Sequence, residues 1–311
     1  MPVTLRQLAR HVGLSVPTVS QILGNHGESY RPETRQKVLD AARTLGYRPN
    51  AFARSVRAGR FGCLALVATA EGLAASGGLV AGLAEAAAAR GHRLMVSTGG
   101  MDGELACDGL LVLPPASAPA GPPAVMLGSR QPSGCVAFDE LSAGTAAAEA
   151  LLELGHRRIG MVELDGAPEG SASALRLEGA RAALEKAGLK PRLLAEATPP
   201  DRRKETLEAW LFKPGRPTAI VAADASAAIA AFAAAASLGI EVPRSMSIIT
   251  FAAQPLCEPG VAMATMVMPA AELAGAAIDM LLKTIGAPAA AAPSRLVGAK
   301  LAQGATLARR A

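Results

Sequence analysis

Apolar residues recur along this chain with two different periods. Near the N-terminus the period is helical. Leu5, Leu8, Ala9 and Val12 form one apolar face and predict a helix over about 5–12. Thr4 precedes it as an N-cap, and Gly13 can supply the positive φ of a tight turn. Ser15 then caps a second, short helix. Pro17 is harmless in its first turn, where its missing N–H had no intrahelical partner. Val19, Ile22 and Leu23 face inward, which leaves Val16, Pro17, Thr18, Ser20 and Gln21 outward. Pro32 opens a third helix with Val38, Ala41, Ala42 and Leu45 as its stripe and Gly46 as its stop. Asn50 can cap two further turns, Ala51–Arg57, a helix too short to be stable alone in water.

From Phe61 onward, short apolar runs alternate with Ala-rich helical stretches. Strands are predicted at 63–69, 92–98, 109–114, 124–129, 158–164, 218–224 and 247–252. Helices are predicted at 76–90, 140–154, 173–187, 202–212, 225–238 and 270–285. That alternation indicates parallel α/β sheets with helices on both faces. There are too many strands for one small domain, so two lobes are expected.

Charge separates the two regions. Residues 1–60 hold ten Lys/Arg against three Asp/Glu, whereas the whole chain is only +5. A basic excess confined to the head is the signature of a polyanionic partner. Half the residues are apolar, but no run reaches the ~18 of a membrane span. The N-terminus lacks an apolar signal core. Cys63, Cys107, Cys135 and Cys257 fit no CxxC or zinc spacing and read as reduced core thiols. A cytoplasmic, nucleoid-associated protein without a membrane partner is expected. No GxSxG elbow, Walker loop or HExxH is present, so no catalytic residue, metal or cofactor is assigned. His156 reads as a turn residue before a strand.

The stretches VTLRQLARHVGLSVPTVSQIL, PETRQKVLDAARTLGYRPN and ARSVRAG resemble the LacI/GalR (lactose-repressor) family of bacterial transcription regulators. LLELGHRRIGMV, RLEGARAALEKAGL, RPTAIVAAD and LGIEVPRSMSIITF extend the likeness over the body. The resemblance implies a helix-turn-helix head at 1–48, a hinge helix at 49–60 and a two-lobed, periplasmic-binding-protein-like α/β body at 61–311. The N-lobe is expected at about 61–157 plus 268–290 and the C-lobe at about 158–267 plus 291–311. Crossings between lobes fall near Arg157, near Val267 and in 287–293. It further implies a homodimer on a double-stranded, pseudo-palindromic operator.

On that likeness, Val16, Pro17 and Gln21 take base-reading positions. Thr4, Ser15, Thr18, Ser20, Asn25 and Asn50 take phosphate-contact positions. Hydroxyls and helix N-terminal amides hold phosphates, and only base-edge contacts discriminate sequence. A Gln side chain can pair bidentately with adenine, so an A·T-containing half-site read through Gln21 is expected. Ala53 and Val56 take the hinge's minor-groove positions. Val56 stands where the family has a Leu wedge, which implies a shallower kink.

Departures from the pattern lie in the body. The segment TGGMDGELACD leaves about ten residues where a parallel crossover takes a dozen or more, so the N-lobe is expected to be short of a helix. Arg176 and Asp224 are the candidate effector contacts. The family's Asn before that Asp is Ala223, and its acidic pair after SIITF is Ala252-Ala253. Losing these acceptors makes a typical sugar a poor ligand. A regulator with an unidentified small-molecule effector is therefore weighed against a ligand-independent repressor whose body only dimerises.

Overall fold

The computed structural model describes residues 3–24, 29–47, 60–98, 106–118, 121–128, 133–258, 261–287 and 292–310. They form two units, Met1–Gly62 and Cys63–Ala311.

The head contains α1 (Leu5–Val12), α2 (Val16–Ile22) and α3 (Pro32–Thr44). Thr4 and Gln7 close a reciprocal capping box on α1, and Gly13, at φ +70°, ends it in the left-handed conformation. Ser15 caps α2 by accepting from Thr18 N at 3.3 Å. Leu8, Ala9, Val12, Val19, Ile22, Val38 and Ala42 are buried together, so the apolar stripes predicted from spacing do meet in one core. Ala41 and Leu45 are only partly buried against it.

The body begins with β1 (Cys63–Val67), α4 (Ala70–Ala75), α5 (Gly77–Ala88), β2 (Arg93–Ser97), β3 (Gly109–Val112), β4 (Ala124–Leu127) and β5 (Cys135–Phe138). It continues with α6 (Glu140–Glu153), β6 (Ile159–Glu163), α7 (Ala172–Lys186), β7 (Arg192–Ala195), α8 (Arg203–Phe212), β8 (Ala219–Ala222), α9 (Ala225–Ser237) and β9 (Ser247–Ala252). Last come β10 (Cys257–Glu258), β11 (Val261–Ala262), β12 (Ala264–Val267), α10 (Ala270–Gly286), β13 (Arg295–Val297) and β14 (Lys300–Ala302). One sheet runs β13-β5-β4-β3-β1-β2, all parallel. The other runs β14-β12-β9-β8-β6-β7, parallel except for β14. Helices α6 and α7 cover one face of the second sheet, and α8 and α9 the other. Helices α5 and α10 cover one face of the first.

Two expected lobe crossings are corrected. Helix α6 was expected to close the N-lobe, with a crossing near Arg157. Instead Ala143, Ala147, Ala148 and Leu151 are buried in the second sheet's core, against Ala180 and Leu184 of α7. The chain therefore crosses at Asp139, directly after β5. It returns between β12, which pairs with β9, and α10, which packs on the first sheet. The third crossing lies at 298–299 rather than 287–293, because β13 pairs with β5 while β14 pairs with β12. Periodicity fixes a helix's apolar face but not which sheet receives it. The expected missing N-lobe helix falls on a segment whose residues 99–105 lie outside the described residues.

His156, read from sequence as a turn residue, is a buried pin. Its Nε2 lies 3.1 Å from the Ala308 carbonyl, which can only accept, so Nε2 carries the hydrogen. Nδ1 lies 3.0 Å from Thr218 Oγ1, whose one hydrogen is shared with the Arg158 carbonyl at 3.2 Å. The ring joins the turn before β6 to the C-terminal segment, and burial holds its pKa below the usual histidine value. The unfolded chain binds a proton at about pH 6.5 where the folded chain resists it. Stability is thus full above that pH and falls as pH drops from about 6.5 towards the lower folded value. Thermal melts from pH 7.5 to 5 are expected to show this loss in the natural chain and a flatter profile in His156→Gln. Equal slopes in the two would sink the idea.

Candidate nucleic-acid interface and ligand cleft

The exposed positions of α2 and its cap form a compact polar patch. Ser15, Pro17 and Gln21 are exposed, and Thr18 and Ser20 are half-buried. Ser15 Oγ and Thr18 Oγ1 are 2.7 Å apart, so the two hydroxyls share one hydrogen bond at the helix start. Val16 is not fully outward as expected. It is half-buried and packs on the head core, because at the first helical position its side chain turns back towards α1 and α3. The Tyr30 hydroxyl, from the approach to α3, donates to Gln21 Oε1. Thr4 is exposed, with its hydroxyl engaged in the capping box. Asn25, Asn50, Ala53 and Val56 lie outside the described residues.

Residues 3–47 of the head also carry six cations among the described residues, Arg6, Arg10, Arg31, Arg35, Lys37 and Arg43, all exposed. Among the described residues only Arg43 has a carboxylate nearby, Asp40 at 3.7 Å, and both are well exposed. Solvated pairs of that kind contribute little. The head therefore presents a positive field together with hydroxyls, a helix start and the side-chain amide of Gln21, whose oxygen is engaged by Tyr30.

In the body, the C-terminal ends of β6, β8 and β9 carry the polar groups, the usual place for a ligand crevice in an open α/β sheet. Arg176, on α7, is engaged by the protein itself. Its Nε and Nη2 donate to Glu140 at 2.6 and 3.2 Å, and Nη1 donates to the Ala223 carbonyl at 2.9 Å. The guanidinium also lies over the Phe251 ring, 5.2 Å from its centre. Asp224 caps α9 by accepting from Ala227 N at 2.9 Å, and burial pushes its carboxyl pKa up. The two sequence-assigned residues are brought to the same strand ends, one as an ion pair and the other as a cap.

Several neighbours escaped the sequence reading. Glu163 is buried and accepts the amides of Asp165, Gly166 and Ala167 at 2.6, 3.0 and 3.1 Å. Asp165 pairs with Arg203, whose guanidinium also reaches Ser226. Glu163, Asp165 and Asp224 bring carboxylate oxygens within 4.8 Å of one another. Glu140 was equally invisible, since a Glu in a first helical turn is ordinarily a solvated one. The signal available was the Asp-Glu pair directly after the apolar run CVAF, which places a carboxylate at a strand end.

Comparison with known proteins gives these arrangements a context. Residues 4–50 match the model for bacterial regulatory proteins of the lacI family, and residues 148–307 match that for a periplasmic binding protein-like domain. The HTH-type transcriptional regulator DegA of Bacillus subtilis is 28% identical over 284 residues, spanning 81% of this chain and 82% of the relative. The ribose operon repressor of Haemophilus influenzae is 27% identical over 315 residues, spanning 92% of each. Among solved structures, a lac repressor dimer bound to operator and the anti-inducer ONPF matches with a TM-score of 0.82 at 23% identity, covering 99% of this chain and 100% of that one. With its capped three-helix head matched by the first of these models and residues 148–307 by the second, the chain belongs to the lacI family of bacterial transcription regulators.

Proposed function

We propose that this chain represses transcription by binding a pseudo-palindromic operator as a homodimer, with α2 of each head in one major-groove half-site. The observation that carries this reading is the α2 patch: Ser15, Pro17 and Gln21 exposed together on a head whose six described cations are solvent-facing. Gln21 reads a base edge, and Pro17 and the exposed part of Val16 offer apolar contact. Ser15, Thr18, Ser20 and Thr4 lie against phosphates, joined by Asn25 and by Asn50 at the start of the hinge. Ala53 and Val56 enter the central minor groove.

Operator affinity is expected to fall steeply with salt, with a log–log slope on the order of −5 to −10 for a dimer neutralising that many phosphates. A flat slope in a fluorescence-anisotropy titration would remove the proposed head from the interface.

In the body, a small-molecule effector would occupy the crevice at the ends of β6, β8 and β9, beside Arg176 and Asp224. It would act by differential affinity for two body states. A second reading is favoured by one feature. Arg176 already has its charge met by Glu140, so the crevice is complete without a ligand and the body can serve self-association alone. Release of operator by a metabolite supports the first reading. Indifference to a broad metabolite panel, ribose and cellobiose included, supports the second.

A further inference from the structure

We propose that Tyr30 is a specificity-determining positioning residue that turns Gln21 from an adenine reader into a guanine reader. The inference rests on the reading above, in which Gln21 faces a base edge. It comes from the hydrogen bond between the Tyr30 hydroxyl and Gln21 Oε1, nine residues apart in sequence.

A free glutamine amide has two useful ends, an acceptor oxygen and a donor NH2 group. Adenine uses both at once. Its N6 amino group donates to the oxygen while its N7 accepts from the nitrogen, so the amide must be free to lie flat against the base with its oxygen turned to N6 and its nitrogen to N7. In this chain the oxygen end is engaged. Tyr30 packs on the head core, its ring half-buried. Its hydroxyl is therefore fixed relative to α2 by the same contacts that fold the head. The oxygen keeps a second lone pair, but a carbonyl oriented by that phenol is no longer free to turn to an N6 amino group. The NH2 group is left as the free end of the side chain, and it can only donate.

A donor-only probe in the major groove prefers the base that offers acceptors only. Guanine presents N7 and O6 side by side, whereas adenine sets a donor beside its N7. The NH2 of Gln21 facing adenine would meet one acceptor and one opposed donor. Guanine offers two acceptors to the same group. The base preference expected from the isolated glutamine is thereby reversed by a residue on a different element.

The test is selection of binding sites from randomised duplex DNA by the full-length chain, its Tyr30→Phe variant and its Gln21→Ala variant. Phenylalanine keeps the ring in the head core and removes only the hydroxyl. The natural chain is expected to select guanine at one symmetry-related position of each half-site, by roughly tenfold over adenine. Tyr30→Phe is expected to bring adenine at that same position up to or above guanine, with the remaining positions of the site retained. Adenine selected by both the natural chain and Tyr30→Phe overturns the clamp while leaving Gln21 as the reader. The same holds if guanine is selected equally by both. An unchanged preference in Gln21→Ala overturns the underlying reading instead, because another residue would then be reading that base.

Discussion

Gly179→Ala is expected to destabilise the body by about 3 kcal/mol, although alanine is the better helix former by about 1 kcal/mol. The reason lies in the crossing of α6 and α7. A Cβ on Gly179 would stand 1.9 Å from the Leu141 carbonyl oxygen, and one on Gly144 would stand 1.8 Å from that of Arg176. Both obstacles are backbone, so neither can be relieved by a rotamer change. Thr145 spans the same crossing, donating to the Gly179 carbonyl at 3.2 Å. Separating the helices would loosen that bond and the cluster of Ala143, Ala147, Ala180 and Leu184 beneath it. Gly275→Ala on α10 is the control. Its Cβ would meet nothing within 4 Å, so a gain of about 0.5–1 kcal/mol is expected there. Urea unfolding followed through the single tryptophan, the buried Trp210 of the second sheet's core, reads both. A Gly179→Ala midpoint at or above that of the natural chain would refute the close crossing.

Removing either partner of the Glu140–Arg176 pair is expected to cost at least about 3 kcal/mol. The side chains are only 11% and 13% exposed, so each truncation leaves a charge with little water to replace its partner. Arg176→Ala strands Glu140 at the first turn of α6. Glu140→Ala strands the guanidinium between Phe251 and the Ala223 carbonyl. The double variant should cost clearly less than the sum, with a coupling of about 1–3 kcal/mol, because no unpaired charge remains. Additive losses would show that the two residues act separately. The pair also ties α6 to α7 at their crossing, so its loss and the Gly179 clash should weaken the same part of the body. The pH dependence expected from His156 concerns a different contact, at the C-terminal segment, and should survive in the Gly275→Ala control.

Much of this architecture was legible in the sequence because it depends on local pattern. Thr4, Gly13 and Ser15 marked the limits of α1 and the start of α2 through capping chemistry, which involves residues only three or four apart. The longer body helices and the seven apolar strands announced themselves by period. Several of the short strands did not, although β3, β4 and β8, of four residues each, did. Cys135–Phe138, Arg192–Ala195 and Arg295–Val297 are too short to show an alternation, and two of the corrections at the lobe crossings follow from that family of elements and from the unseen partner of α6.

The chemistry divides in the same way. The family likeness pointed to Arg176 and Asp224, while sequence alone determined the identity of the α2 residues and the positive charge of the head. Those follow from local spacing and from counting charges. Tertiary structure alone decided what each group is free to do. Arg176 meets a carboxylate 36 residues away. Gln21 meets a phenol from the approach to α3. Asp165 meets a guanidinium from α8, 38 residues away. A side chain's type sets the hydrogen bonds it can make, but only packing sets which of them are already made.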